Sequence, residues 1–180
     1  EAAFYGPKLD FLFKDSLNRE WQLATIQCDF NLPERFGLSF MNEESKKERP
    51  VVIHRAISGS LERFMSVLIE HFAGKFPLWL APVQVRIVTV TDRNVDFARS
   101  VVALLKEQDV RVELDDRTES IGRKVRDAQL ERVAYIVTVG DKETEKKTLA
   151  VRDREGKVQF DVSVQKFVTE IVEEVKERKL

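Results

Sequence analysis

The stretch VVIHRAISGSLERFMSVLIEHF, residues 51–72, decides how the rest of the chain is read. Val51 to Ile57 is a continuous apolar run broken only by His54 and Arg55, the pattern of a strand. Ser58-Gly59-Ser60 is a turn, and Leu61, Phe64, Met65, Leu68 and Phe72 then recur at helical spacing, which predicts a core-facing helix. Gly74 and Pro77 end it. The exposed N–H groups of a helix start, a glycine that permits close approach, and two hydroxyls form a candidate anion site. Arg63, in the first helical turn, is able to present a bidentate guanidinium to the same anion. The plainer alternative is that Ser58 or Ser60 caps the helix and Arg63 is solvated.

Upstream of this stretch the chain alternates. Leu9 to Lys14 and Trp21 to Phe30 switch between apolar and polar residues around Asp15-Ser16-Leu17-Asn18, which predicts a β-hairpin. Lys8, Gln22 and Gln27 are polar positions on half-buried strands, and Tyr5-Gly6-Pro7-Lys8 is a turn. NEESKKER, residues 42–49, is an exposed loop between strands. Cys28, the only cysteine, sits in an apolar strand as a small core residue. His54 reads as a satisfied core histidine, since Cys28 and His71 are the only other Cys or His residues and share no zinc-binding spacing with it.

Downstream, Trp79-Leu80-Ala81-Pro82 marks a boundary, giving expected domains 1–80 and 81–180. Strands at 83–90, 110–114, 133–139 and 148–152 alternate with helices at 94–108 and 120–131, and a last helix starts near Val164. Such alternation predicts βαβ units and a mixed, largely parallel sheet. The fold class is therefore α/β overall: an antiparallel sheet with a helix, followed by a compact α/β domain. Arg117, Arg123, Lys124 and Arg126 gather around one loop and helix, as a solvated face or as a patch for an RNA backbone.

The totals exclude several classes. A formal net charge of -1 argues against a protein held to DNA by bulk charge, though not against a local basic patch. One cysteine excludes a disulfide framework and suits a reducing cytoplasm. No apolar run approaches the ~20 residues of a membrane span. There is no Walker loop, GxGxxG, Ser-His-Asp order or paired-His motif. The chain begins at EAAFYGPKLD, as if within an element, and is expected to be a piece of something longer.

Taken together, AFYGPKLDF, WQLATIQCDFNLPERF, RPVVIHRAISGSLERF, FPLWLAPVQV, DDRTESIGRKVRDAQ and VGDKE occur in an order that resembles the threonyl-tRNA synthetase family, within the class II aminoacyl-tRNA synthetases. The resemblance covers nearly the whole chain, and HRAISGSLERF is similar to the third class-defining motif. It implies an enzyme joining threonine to tRNA(Thr) through an adenylate, with ATP and Mg2+. It also implies a Zn2+ ion with one ligand here, His54, and the others upstream. Tyr5 and Lys8 match threonine-pocket positions. Gln22, Gln27 and Ser60 match adenylate-binding positions, and Arg63 matches the catalytic arginine that holds ATP phosphate. Thr118, Arg126, Glu143 and Arg152 match anticodon-reading positions, Thr118 standing where asparagine is usual.

The same resemblance implies that the first two class motifs, the dimer-forming elements, two zinc ligands and any editing domain lie outside this chain. Alone it is expected to be inactive, and the full-length enzyme to be a cytoplasmic homodimer without membrane or DNA partners. The rival expectation is a non-catalytic tRNA-binding protein derived from a synthetase.

Overall fold

The computed structural model describes residues 2–179 and divides the chain into two compact units, Glu1–Ala73 and Gly74–Leu180. The Trp79–Pro82 segment lies within the second unit.

The first unit is built on a four-stranded antiparallel sheet. β1 (Ala2–Ala3) pairs with β2 (Gly6–Lys14), β2 with β3 (Glu20–Asp29), and β3 also with a later strand, Val52–Ala56. Between them come a short helix, α1 (Asn31–Arg35), and a small hairpin of β4 (Phe40–Met41) and β5 (Lys47–Glu48). The expected 42–49 loop is thus in part this hairpin, its turn closed by Asn42, whose Oδ1 accepts from the N–H groups of Glu44 and Lys46. β6 (Val52–Ala56) leads into α2 (Leu61–Phe72).

The hairpin turn is organised by Asp15. Its carboxylate accepts hydrogen bonds from the N–H groups of Leu17 (3.0 Å) and Arg19 (2.8 Å), from Arg19 Nε (2.6 Å) and from Trp21 Nε1 (2.8 Å). Burial pushes the Asp15 carboxyl up, but the bonds from Trp21 and Arg19 outweigh it and hold the carboxyl down at about 2.

The helix predicted at 61–72 forms, but the expectation that its apolar stripe is buried is not met. No residue of α2 is fully buried; Leu61 remains 66% exposed and Met65 56%. Ile53 on β6 is 67% exposed. A single helix over one side of a small sheet has too few neighbours to enclose its stripe, and Cys28 is likewise only half-buried.

The second unit holds nearly all of the described core. Its strands are β7 (Val85–Thr89), β8 (Val112–Asp115), β9 (Tyr135–Val139), β10 (Thr148–Arg152) and β11 (Val158–Ser163), in the order β11-β10-β9-β7-β8. β7 runs parallel to β8 and β9, while β10 is antiparallel to β9 and β11, so the sheet is mixed. The helices are α3 (Val95–Glu107), α4 (Ile121–Leu130), α5 (Asp141–Lys146) and α6 (Val164–Glu177). α3 and α6 pack Val101, Leu105, Phe167 and Ile171 on Val85, Ile87 and Val137; α4 contributes Ala128 to a separate cluster with Val88, Val133 and Ile136. Alternate residues of β7 enter different clusters, as a central strand covered on both faces requires. Ser120 and Ser163 cap α4 and α6 through bonds from the N–H groups of Arg123 and Lys166.

Candidate functional site

The β2–β3–β6 register gathers polar side chains. Lys8 stands opposite Gln27, which stands opposite His54 on the other side; Asp10 pairs with Thr25, and Leu12 with Gln22. The shift from Phe11–Ala24 to Leu12–Gln22 leaves Leu23 as the extra residue of a bulge. Without it Gln22 would face the other way; with it, Lys8, Asp10, Gln22, Gln27, Asp29 and His54 share one side of the sheet. The opposite side carries Leu9, Phe11, Phe13 and Ile53.

These polar groups are linked. Lys8 Nζ lies 2.8 Å from Asp10 Oδ2, and Gln22 Nε2 donates to Asp10 Oδ1 at 2.6 Å. The Lys8 contact lowers the Asp10 carboxyl below the usual range and keeps it an acceptor. His54 Nε2 lies 3.0 Å from Asp29 Oδ2, with a side chain 44% exposed, so it is a surface imidazole held by a buried carboxylate and not a core histidine. Asp29 Oδ1 accepts from the N–H groups of Asn31 (2.8 Å) and Leu32 (3.0 Å).

Two close approaches frame β3. Gly6 (φ 145°) presses on the Cys28 carbonyl and Gly59 (φ 65°) on the Leu23 carbonyl; a Cβ at either would overlap that oxygen. The start of β2, which forms where a turn was expected at Tyr5–Lys8 (the turn itself being Phe4–Tyr5), and the Ser58–Ser60 turn are thereby seated on opposite edges of the same strand. Tyr5, half-buried, also ties its carbonyl to the Phe30 N–H at 2.9 Å.

Ser60 is the N-cap of α2, its hydroxyl accepting from the Arg63 N–H at 3.3 Å and donating to Glu62 at 2.7 Å. The plain capping alternative for Ser60 is therefore met. Arg63 is not merely solvated: its Nη1 donates to the Gln22 carbonyl at 3.1 Å and its guanidinium lies over the Trp21 ring, 5.6 Å from the centroid. One carbonyl bond leaves most of its five donors available.

In the second unit the basic cluster separates into individuals. Arg117 clamps Asp115 (2.7 Å) and Asp127 (2.9 Å). Lys124, expected on a solvated or RNA-facing surface, is 2% exposed and donates from Nζ to the Thr89 carbonyl at 2.9 Å, so it belongs to the interior. Arg123 pairs with Glu119, while Arg126 is exposed beside Gly122, Arg123 and Leu130 on the outer side of α4. Thr118 is exposed in the loop between β8 and α4. Glu143, in the first turn of α5, accepts from the Gly140 N–H at 3.0 Å. Arg152 ends β10 opposite Ile136 and donates to the Gly156 carbonyl at 2.9 Å. Glu143 follows the end of β9 and Arg152 faces its beginning, so the register does not bring the four together at one point.

Sequence reasoning missed Asp10, Asp29 and Trp21. Period-two spacing was the available signal for the two acids, since Asp10 follows Lys8 and Asp29 follows Gln27 by two. As to a metal, no group of three or more His, Cys, Asp or Glu side chains converges among the described residues. His54 fits as one ligand of a shared site: it is accessible, and Asp29 engages only Nε2.

Both units match known protein families. Residues 1–72 match the tRNA synthetase class II core domain (G, H, P, S and T), and residues 84–174 match the anticodon binding domain. The chain thus carries, in order, part of a class II tRNA synthetase core domain and an anticodon binding domain. More narrowly, the chain belongs to the threonyl-tRNA synthetase family. It is 50% identical over 178 residues to a threonine–tRNA ligase of Clostridium tetani and 51% over 179 to one of Geobacter sp. strain M21. Each match takes in 99% of this chain but 28% of the relative, so the chain spans little more than a quarter of their length. Among solved structures, the RNA binding domain of threonyl-tRNA synthetase from Cryptosporidium parvum Iowa II superposes with a TM-score of 0.87 at 36% identity, covering 96% of this chain and 44% of that one. A putative threonyl-tRNA synthetase from Aeropyrum pernix gives 0.71 at 34%, covering 99% and 44%.

Proposed function

We propose that this chain is part of a threonine–tRNA ligase, supplying one wall of the adenylation site and the anticodon-reading domain. The observation that carries the reading is the single sheet face on which Lys8, Gln22, Gln27 and His54 meet by register; Arg63 is bonded to the backbone carbonyl of Gln22 on the same strand.

In the reaction, a threonine carboxylate oxygen attacks the α-phosphorus of ATP and the bond to pyrophosphate breaks. A ribose hydroxyl at the tRNA 3′ end then attacks the threonyl carbonyl and AMP leaves. Arg63, steadied on Trp21, meets the negative charge of the ATP phosphates with a preorganised guanidinium, alongside Mg2+ carried by the nucleotide. Tyr5 and Lys8 border the threonine. Gln22 and Gln27 hydrogen-bond the adenylate, and Ser60 borders it from the head of α2. His54 would hold zinc together with ligands from elsewhere in the longer protein. When bound, such an ion would supply Lewis-acid recognition of the threonine hydroxyl, and a site built to engage a hydroxyl strongly rejects the analogue lacking it, valine. Thr118, Arg126, Glu143 and Arg152 contact anticodon bases, which single-stranded loops expose to arginine stacking and edge hydrogen bonds. The full protein works as a homodimer in the cytoplasm; among the described residues no helix is long and apolar enough to cross a membrane.

The test is threonine-dependent exchange of pyrophosphate into ATP by the longer protein. Arg63→Ala is expected to lower kcat by about 10²–10³, the scale of losing one preorganised charge donor. An unaltered rate removes Arg63 from the site. Absence of exchange in the unmutated protein, with tRNA binding intact, supports a non-catalytic tRNA binder instead.

A further inference from the structure

We propose that Asp29 is a positioning residue for His54, fixing the neutral imidazole as the Nε2–H tautomer and presenting Nδ1 as the metal-binding nitrogen. The inference deepens, and rests on, the reading of His54 as a zinc ligand.

The Asp29 carboxylate is fixed before the histidine is considered. Its side chain is 6% exposed, and Oδ1 is engaged by the Asn31 and Leu32 N–H groups at the start of α1, so it cannot rotate without losing both bonds. Only Oδ2 is left to face His54, at 3.0 Å from Nε2. A carboxylate that accepts two backbone N–H bonds through one oxygen is held as the anion at neutral pH. An ionised carboxylate only accepts, and Nε2 must therefore donate. In a neutral ring the remaining nitrogen, Nδ1, then carries the lone pair. A metal-bound histidine commonly gives its second N–H to a carboxylate in this way, which fixes ring orientation and raises ligand basicity. The sequence places the acid economically: Asp29 follows Gln27 by two residues on β3, and Gln27 is the cross-strand partner of His54. The acid and the imidazole are thus diagonal neighbours on one sheet face.

The experiment exploits a chain with only two histidines, His54 and His71. Long-range ¹⁵N–¹H correlation spectra of histidine-labelled chain at mildly alkaline pH report each tautomer, and His54→Ala assigns the signals. His54 is expected as Nε2–H; finding Nδ1–H in the unmutated chain overturns the proposal whatever the variants do. Asp29→Asn keeps an acceptor for Asn31 and Leu32 but turns an NH2 towards the ring, so it is expected to switch His54 to Nδ1–H. A folded variant with unchanged tautomer also overturns it. In the longer protein, chelator competition is expected to show zinc affinity weakened about 10–100-fold by Asp29→Asn. If His54→Ala abolishes zinc binding while Asp29→Asn leaves it unchanged, the positioning role fails. If His54→Ala retains zinc in full, the zinc reading itself fails, whatever the tautomer.

Discussion

At the residue scale, Asp15 shows how one buried carboxylate organises its surroundings. It anchors the hairpin turn and the Trp21 indole, and that indole carries the Arg63 guanidinium. Because the folded carboxyl is depressed to about 2, against roughly 3.9 unfolded, its contribution is complete above pH 4 and is lost as pH falls through the folded value. We predict that first-unit stability, followed by Trp21 fluorescence, falls between about pH 4 and pH 2, and that Asp15→Asn, though less stable at pH 7, flattens that decline. An equally steep decline in the variant would assign it to other carboxylates. Motif resemblance singled out Arg63, yet nothing in its spacing announced the Trp21 ring. That partner is 42 residues away in sequence and adjacent only through the fold.

Elements were legible where local pattern and tertiary environment agreed. The strand at Thr148–Arg152 and the start of α6 at Val164 fall where the sequence reading put them. α5 (DKETEK) and β11 were missed for physical reasons: the first has no apolar period, and the second is interrupted by Asp161 at φ 56° and a register shift against β10. Periodicity also showed which side of α2 is apolar but not what encloses it, and it could not foresee that the Thr89 carbonyl draws Lys124 inside. The turn into α2 supports a contrasting pair of variants. Gly59→Ala, at φ 65° against the Leu23 carbonyl, is expected to destabilise the first unit by at least about 1–3 kcal/mol. Gly122→Ala, in helical α4 with no atom within 4 Å of the new Cβ, is expected to stabilise the second by about 0.5–1 kcal/mol. Urea denaturation measures both, and equal effects would show that the close approach at Gly59 is not restrictive.

On the scale of the molecule, burial is uneven. Among the described residues, Leu23 is the only fully buried large hydrophobic of the first unit, whereas the second encloses two clusters. Hydrophobic burial dominates folding, so the two units should differ in stability. The sequence supplies its own reporters: Trp21 lies in one unit and Trp79 in the other. Single-tryptophan variants are expected to give two non-coincident urea transitions, Trp21 responding first. Coincident curves would mean that the chain unfolds as one cooperative body. The α/β class was legible from the change of pattern along the chain, because alternation and βαβ spacing are local signals, while the division itself falls at Ala73/Gly74. The thinness of the first unit was not, since enclosure depends on neighbours that no periodicity encodes.

The glycines on either side of β3 turn that strand into a ruler. Gly6 seats one turn at Cys28 and Gly59 seats the other at Leu23, a separation of five residues or roughly 16–17 Å of extended chain. Loops on either side can drift in length, but the two turns stay at a fixed spacing while these carbonyls remain their docking points. Inserting or deleting one residue between Leu23 and Cys28 would move the marks and, in the same step, reverse the facing of one set of side chains. Sequence change in this part of the molecule is therefore constrained in number before it is constrained in chemistry.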